Sequence, residues 1–226
     1  MPNFIHYLYL IPLSLSVIFS FKTFKSKWAK PYRLFSIFLM ATLFVEIFAI
    51  SWKLALHKTA YWDYSKSNLW IYNIYLVPQY LFYFTFFSWI VQSIWLKSVY
   101  SSFSIIYGLL GLANMVYIQG MSQLNTYSII AGSGLVILGS LTYFSKALNR
   151  PDPFPVTSYP AFWIASGSFI FHTISLPYFI CINYLSRTNL TMAIVLFNIV
   201  LALNIIMYFF YLIAFLCNNP SHKRLH

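Results

Sequence analysis

Seven long apolar runs decide what this chain can become. Their limits are about 3–21, 34–56, 68–94, 100–118, 124–145, 160–183 and 189–217. About 20 apolar residues wound as an α-helix, at roughly 1.5 Å of rise each, cover the ~30 Å of hydrocarbon in a bilayer. Inside hydrocarbon every backbone N–H and C=O needs a partner within the protein, and a helix supplies it locally. The runs therefore predict an all-α, polytopic transmembrane bundle of seven helices, in one domain covering residues 1–226. The third and seventh runs are long enough to tilt. The fourth is the weakest, and its boundary with the fifth rests on Gln119, Gly120, Ser122, Gln123 and Asn125.

Charge supports this reading. Only 8% of the 226 residues are charged and 60% are hydrophobic, whereas soluble domains carry about 25% charged residues. So few charges could not coat a globular surface. The formal net charge of +11 would, in a soluble chain, raise nucleic acid as a partner. Here the basic residues form short clusters between the runs, and no loop is long enough to fold into a reader module. They are read as a topology signal with affinity for anionic headgroups, and no nucleic-acid partner is expected. Tryptophans near helix ends, such as Trp28, Trp52, Trp70 and Trp163, fit an interfacial belt.

Positive charge then orients the bundle. Met1 to His6 contains no Lys or Arg, and the basic cluster follows the first run. That order argues against a cleaved secretory signal and for an N-terminus outside. Lys22, Lys25, Lys27, Lys30, Arg33, Lys97, Lys146, Arg150, Lys223 and Arg224 fall on one side; Lys53, Lys58, Lys66 and Arg187 fall on the other. The richer side is expected in the cytoplasm, together with the C-terminus. Cys181 and Cys217 fall at opposite faces and cannot pair. The proline-rich stretch from Asn149 to Pro155 reads as a stiff connector or as a docking strip for a cytoplasmic partner.

Packing signals lie within the runs. Ser128, Gly132 and Gly139 share a face of the fifth helix, and Gly108 and Gly111 act similarly on the fourth. Small residues let helices approach closely in lipid. Pro12, Pro78 and Pro177 fall inside the first, third and sixth helices and are expected to bend them.

Glu46 is the one acidic residue inside any run. A carboxylate at mid-membrane costs about 2.5–3.5 kcal/mol on insertion scales, so it should face the interior with a partner. It is read as a proton, cation or ligand site, or as structural glue between helices. His172 is the second candidate, with Ala165, Ser168 and Ser175 at helical spacing on its face. Counting from run midpoints places Glu46, Gln79, His172 and Asn204 within about 5 Å of one depth. Tyr72, Tyr75 and Tyr83 accompany Gln79 on the third helix. Lys53, Asn73, Asn114 and Asn198 lie further out, with Lys53 on the face of Glu46 and free to snorkel. The expected site is a polar cavity open to the outside, built from Glu46, Gln79, His172, Asn204, Tyr75, Asn114 and Lys53.

No metal-binding pair, phosphate loop, nucleophile turn or selectivity filter is written in the chain. No metal or cofactor is expected. With Asn68-Leu69-Trp70-Ile71-Tyr72-Asn73-Ile74-Tyr75 opening the third helix, Phe162-Trp163-Ile164-Ala165-Ser166-Gly167 opening the sixth, and Glu46 in the second, the chain resembles uncharacterised bacterial seven-helix membrane proteins. That resemblance implies an architecture and a bacterial inner membrane. The functional expectation is a sensor or receptor-like protein. It would bind a small molecule or lipid in its outer half and signal to a cytoplasmic protein. The alternatives are a proton- or cation-coupled transporter or channel using Glu46, a pore-forming stress or defence effector, and an intramembrane lipid enzyme.

Overall fold

The computed structural model describes residues 4–25, 28–57, 59–91, 94–149 and 155–217. It is 87% helical, and seven helices form the bundle among the described residues. They are α1 (Leu10–Ser20), α2 (Lys30–Ala55), α3 (Leu69–Val91), α4 (Ile94–Ala113), α5 (Thr126–Leu148), α6 (Pro160–Thr188) and α7 (Leu190–Leu216). Six of the seven are long and apolar enough to cross a membrane.

Local chemistry explains the helix ends. Proline occupies the first turn of both α2 and α6, where its missing N–H costs nothing and its fixed φ already suits a helix. Asn189 Oδ1 accepts from Met192 N at 3.0 Å and caps α7. A single non-helical residue thus turns the chain from α6 into α7. The boundary between the fourth and fifth runs is built from two devices. A π-helical turn over Asn114–Ile118 widens the end of α4, and Gly120 then adopts φ +70°. Only glycine takes that conformation without steric cost.

The first helix departs from expectation. A full span over 3–21 was expected. Instead a 3-10 turn at Phe4–Tyr7 precedes α1, and another at Phe21–Phe24 follows it. The apolar helix Leu10–Phe24 is shorter than the other six. Pro12 falls in the first turn of α1, where no intrahelical donor is lost, so it does not break the helix. Pro78 and Pro177 do lie inside α3 and α6. The proline-rich stretch expected to serve as a connector or docking strip falls mostly on 150–154, outside the described residues.

Helices α1, α2, α3, α5, α6 and α7 follow one another around a ring that α1 closes against α7. Helix α4 packs outside the ring, on α3 and α5. Its Phe103, Ile105, Ile106, Leu109 and Leu110 remain exposed. The close approaches use the small residues read from the sequence. A Cβ on Gly132 would lie 2.5 Å from the Tyr80 ring of α3, and one on Gly139 would lie 2.8 Å from Phe87. Three hydroxyls inside the bundle bond within their own helices: Thr42, Ser140 and Ser168 donate to the carbonyls of Phe38, Val136 and Ile164.

One half of the interior is tightly packed and aromatic. The Phe35 ring centroid lies 4.9 Å from Tyr211 and 5.0 Å from Phe86, and Phe38 stacks on Phe82 at 4.2 Å. Phe35, Phe84, Phe86, Phe87 and Phe215 are fully buried. This layer lies toward the face bearing the start of α2 and the end of α7. The other half, toward the face where α2 turns into α3 and α6 into α7, holds the cavity.

Candidate functional site

Glu46 sits nine residues before the end of α2, about 14 Å along the helix from that face. Two phenols reach it from different helices. Tyr9, at the head of α1, donates to Glu46 Oε2 at 2.7 Å; Tyr72, in the first turn of α3, donates to the same oxygen at 2.9 Å. The other carboxyl oxygen, Oε1, has no protein partner among the described residues. Since Oε2 already accepts twice, a proton on this carboxyl belongs on Oε1.

Glu46 borders a cavity of about 630 Å³. Lys53, Asn204, Tyr9 and Tyr72 also line it. So do His6 and Tyr7 near the N-terminus, Gln123 and Leu124 of the α4–α5 connection, and Tyr178, Phe179 and Asn183 of α6. Its size suits a small organic ligand. Its wall mixes rings and apolar side chains with a few amides, one carboxyl and one amine.

The α4–α5 connection is clamped into this wall. Buried Asn73 on α3 donates to Gln123 O at 2.8 Å and accepts from Asn125 N at 3.2 Å. Asn183 on α6 donates to Leu124 O and Thr126 Oγ1. Arg187 reaches Gln123 Oε1 at 3.3 Å. Backbone groups that the turn leaves unpaired thus find side-chain partners, as an apolar surrounding requires.

The expected site residues separate into groups. Glu46, Lys53 and Asn204 come together around the cavity. Tyr75 binds Thr42 Oγ1 at 2.7 Å and lies just outside the lining set. Gln79 is half-buried on α3 and is not a lining residue. Asn114 is buried at the end of α4 and donates to Gln119 Oε1 and Ser128 Oγ, both at 3.0 Å. It borders a separate apolar groove of about 460 Å³ between α4 and α5.

His172 is 1% exposed. Its Nδ1 lies 3.0 Å from Ser133 Oγ, which also meets Tyr80 Oη at 2.9 Å. The rings of Tyr80 and Tyr83 flank it at 5.6 Å, and Phe171 lies at 5.1 Å. Tyr72 meets Glu46 while Tyr80, eight residues further along α3, meets the partner of His172. Eight residues rise about 12 Å along a helix. The acid and the imidazole therefore belong to different layers: Glu46 to the cavity, His172 to a packed seam between α3, α5 and α6. A second buried chain, Ser168 Oγ to Tyr211 Oη to Tyr83 Oη, crosses the same layer at 2.8 Å per step.

Tyr9, Asn183 and Gln123 were not marked as site residues by sequence; Gln123 was marked only as part of a boundary between runs. Tyr9 looks like any interfacial aromatic, and Asn183 and Gln123 look like polar residues at run ends. Their roles follow from the chain path that brings them to the cavity.

Among the described residues no group of three or more His, Cys, Asp or Glu could hold a metal ion. No protein family, curated protein or solved structure matches this chain.

Proposed function

We propose that this protein is a seven-helix, sensor-like receptor of a bacterial inner membrane. In this reading the N-terminus lies outside and the C-terminus in the cytoplasm, following the excess of basic residues on one side. A small molecule enters the cavity from outside and engages Glu46. The observation that carries this reading is the unengaged Glu46 Oε1, held in place through Oε2 and bordering a cavity of ligand size.

The cavity wall contains the means to pass the event on. Tyr178 and Phe179 line it, and Pro177 immediately precedes them inside α6. Proline removes one backbone hydrogen bond and makes a bend point. Contact with Tyr178 therefore acts on α6 where the helix resists least. The opposite end of α6 carries Trp163, whose Nε1 donates to Thr157 O at 2.7 Å in the preceding connection. A partner protein on that side receives the shift.

The test is a stability screen of purified protein with a collection of small metabolites. A true ligand raises the melting temperature of the wild type, and the rise is lost in Glu46→Gln and in Asn204→Leu, which replaces an amide of the cavity wall with an apolar side chain of the same shape. Stabilisation that persists in both variants rejects this site.

A second reading, a proton- or cation-coupled transporter, is favoured by the same lone intramembrane acid. It needs access from both faces, and the aromatic layer around Phe35 fills the interior beyond the cavity. Proton-coupled flux in liposomes that disappears in Glu46→Gln would select transport.

A further inference from the structure

The cavity has an acid toward one end and an amine toward the other. Glu46 and Lys53 both line it, and they are seven residues apart on α2. Seven residues make nearly two full turns, so the two side chains share one helix face, about 10.5 Å apart along the axis. They form no ion pair with each other. Lys53 is exposed at the mouth, and Glu46 lies deeper, between the phenols of Tyr9 and Tyr72.

Each end selects a chemistry. A carboxyl oxygen that still lacks a donor, beside tyrosine rings, is suited to an ammonium group through charge-assisted hydrogen bonding and cation–π attraction. An exposed lysine suits an acidic group that remains partly hydrated. Between them the wall is apolar at Ile50 and Leu69. A ligand carrying only one charge leaves one end unmatched.

We infer that the cavity takes an amphoteric ligand, with an ammonium group seated on Glu46, an acidic group at Lys53 and an apolar spacer of about 10 Å between them. The inference rests on the ligand-binding reading above and narrows it to one chemical class. The ammonium end enters first, and the acidic end stays at the mouth.

The probes are 8-aminooctanoate, whose extended length matches the separation, and its two single-charge relatives, octylamine and octanoate. Affinity is measured by calorimetry on the full chain in maltoside micelles, for the wild type, Glu46→Gln, Lys53→Gln and Asn204→Leu. Melting curves verify that each variant is folded. The wild type should bind 8-aminooctanoate about tenfold more tightly than either relative, the scale of one added charged contact. Lys53→Gln should reduce 8-aminooctanoate to the affinity of octylamine, and Glu46→Gln should weaken both amines. No binding of 8-aminooctanoate, binding of octanoate as tight as that of 8-aminooctanoate, or amine binding indifferent to Glu46→Gln overturns the inference. If octanoate alone binds and Asn204→Leu abolishes it, the ligand cavity stands and only the amphoteric class falls.

Discussion

Tyr9 donates to Glu46 across 2.7 Å and thereby ties the head of the shortest helix to the middle of the second. Tyr72 brings the third helix to the same oxygen. One carboxyl oxygen thus joins three helices. Helix α1 also packs on α7 and α2, so this carboxyl adds a polar tie to an apolar seam.

Removing one phenol should therefore have a modest effect and removing both a larger one. Tyr9→Phe and Tyr72→Phe should each cost about 1 kcal/mol, the net value of one hydrogen bond. The double variant should cost more than the sum, because it strips both donors from a carboxyl set in low dielectric. Chemical denaturation of the purified protein checks this. Additivity to within about 0.3 kcal/mol would mean that Oε2 does not couple the two phenols.

The contact between α6 and α7 predicts a sharp contrast between two glycines. A Cβ at Gly167 would lie 2.8 Å from Phe210 Cβ and 3.2 Å from Met207 O, atoms with little freedom to retreat. Gly167→Ala should lose about 1–3 kcal/mol through overpacking. At Gly134, on α5, a Cβ meets nothing within 4 Å. Gly134→Ala should be neutral or gain up to about 1 kcal/mol from helix propensity. Melting temperatures of both variants decide, and equal behaviour would contradict this packing.

His172 should matter for stability and not for ligand affinity. His172→Ala removes the bond to Ser133 and empties a ring-sized space among Tyr80, Tyr83 and Phe171. The expected loss is about 2–4 kcal/mol. Affinity measured on the folded fraction should stay within about twofold of wild type, since the cavity layer lies ~12 Å away along α3. A loss of binding in folded His172→Ala protein would place the imidazole in the binding machinery.

Orientation can be read by thiol labelling. With Cys181 and Cys217 replaced by serine, Ser67→Cys and Lys25→Cys place single thiols at exposed positions on opposite faces. In intact cells an impermeant maleimide should label position 67 alone, and position 25 only after permeabilisation. The reverse pattern would invert the proposed topology and put the cavity mouth in the cytoplasm.

The apolar runs made the bundle legible, since every helix from α2 to α7 falls on one of them. Glu46 was legible because a lone acid in hydrocarbon must be accommodated. The common depth of Glu46 and His172 was misjudged from run midpoints. Helix α6 runs on to Thr188, beyond the apolar run ending near 183, and α2 starts at Lys30, before the run starting near 34; both midpoints move, by about 4 Å each, and they carry Glu46 and His172 in opposite directions. The broken first helix was hidden as well. Hydropathy registers the apolarity of residues 3–21 but not the turn at Leu8 and Tyr9 that aims the phenol at Glu46. Nor could any periodicity reveal that Asn73 and Asn183 spend their amides on the α4–α5 connection rather than on a ligand.

The ring closes where α1 meets α7, so two helices far apart along the chain share one wall. Ser16 on α1 donates to Tyr208 O on α7 at 2.8 Å, and Tyr9 shares the cavity wall with Val200 and Asn204. During synthesis that wall has a gap until α7 enters the membrane. The cavity is thus completed only once α7 is in place, and a nascent chain arrested before α7 would hold Glu46 in an unfinished groove.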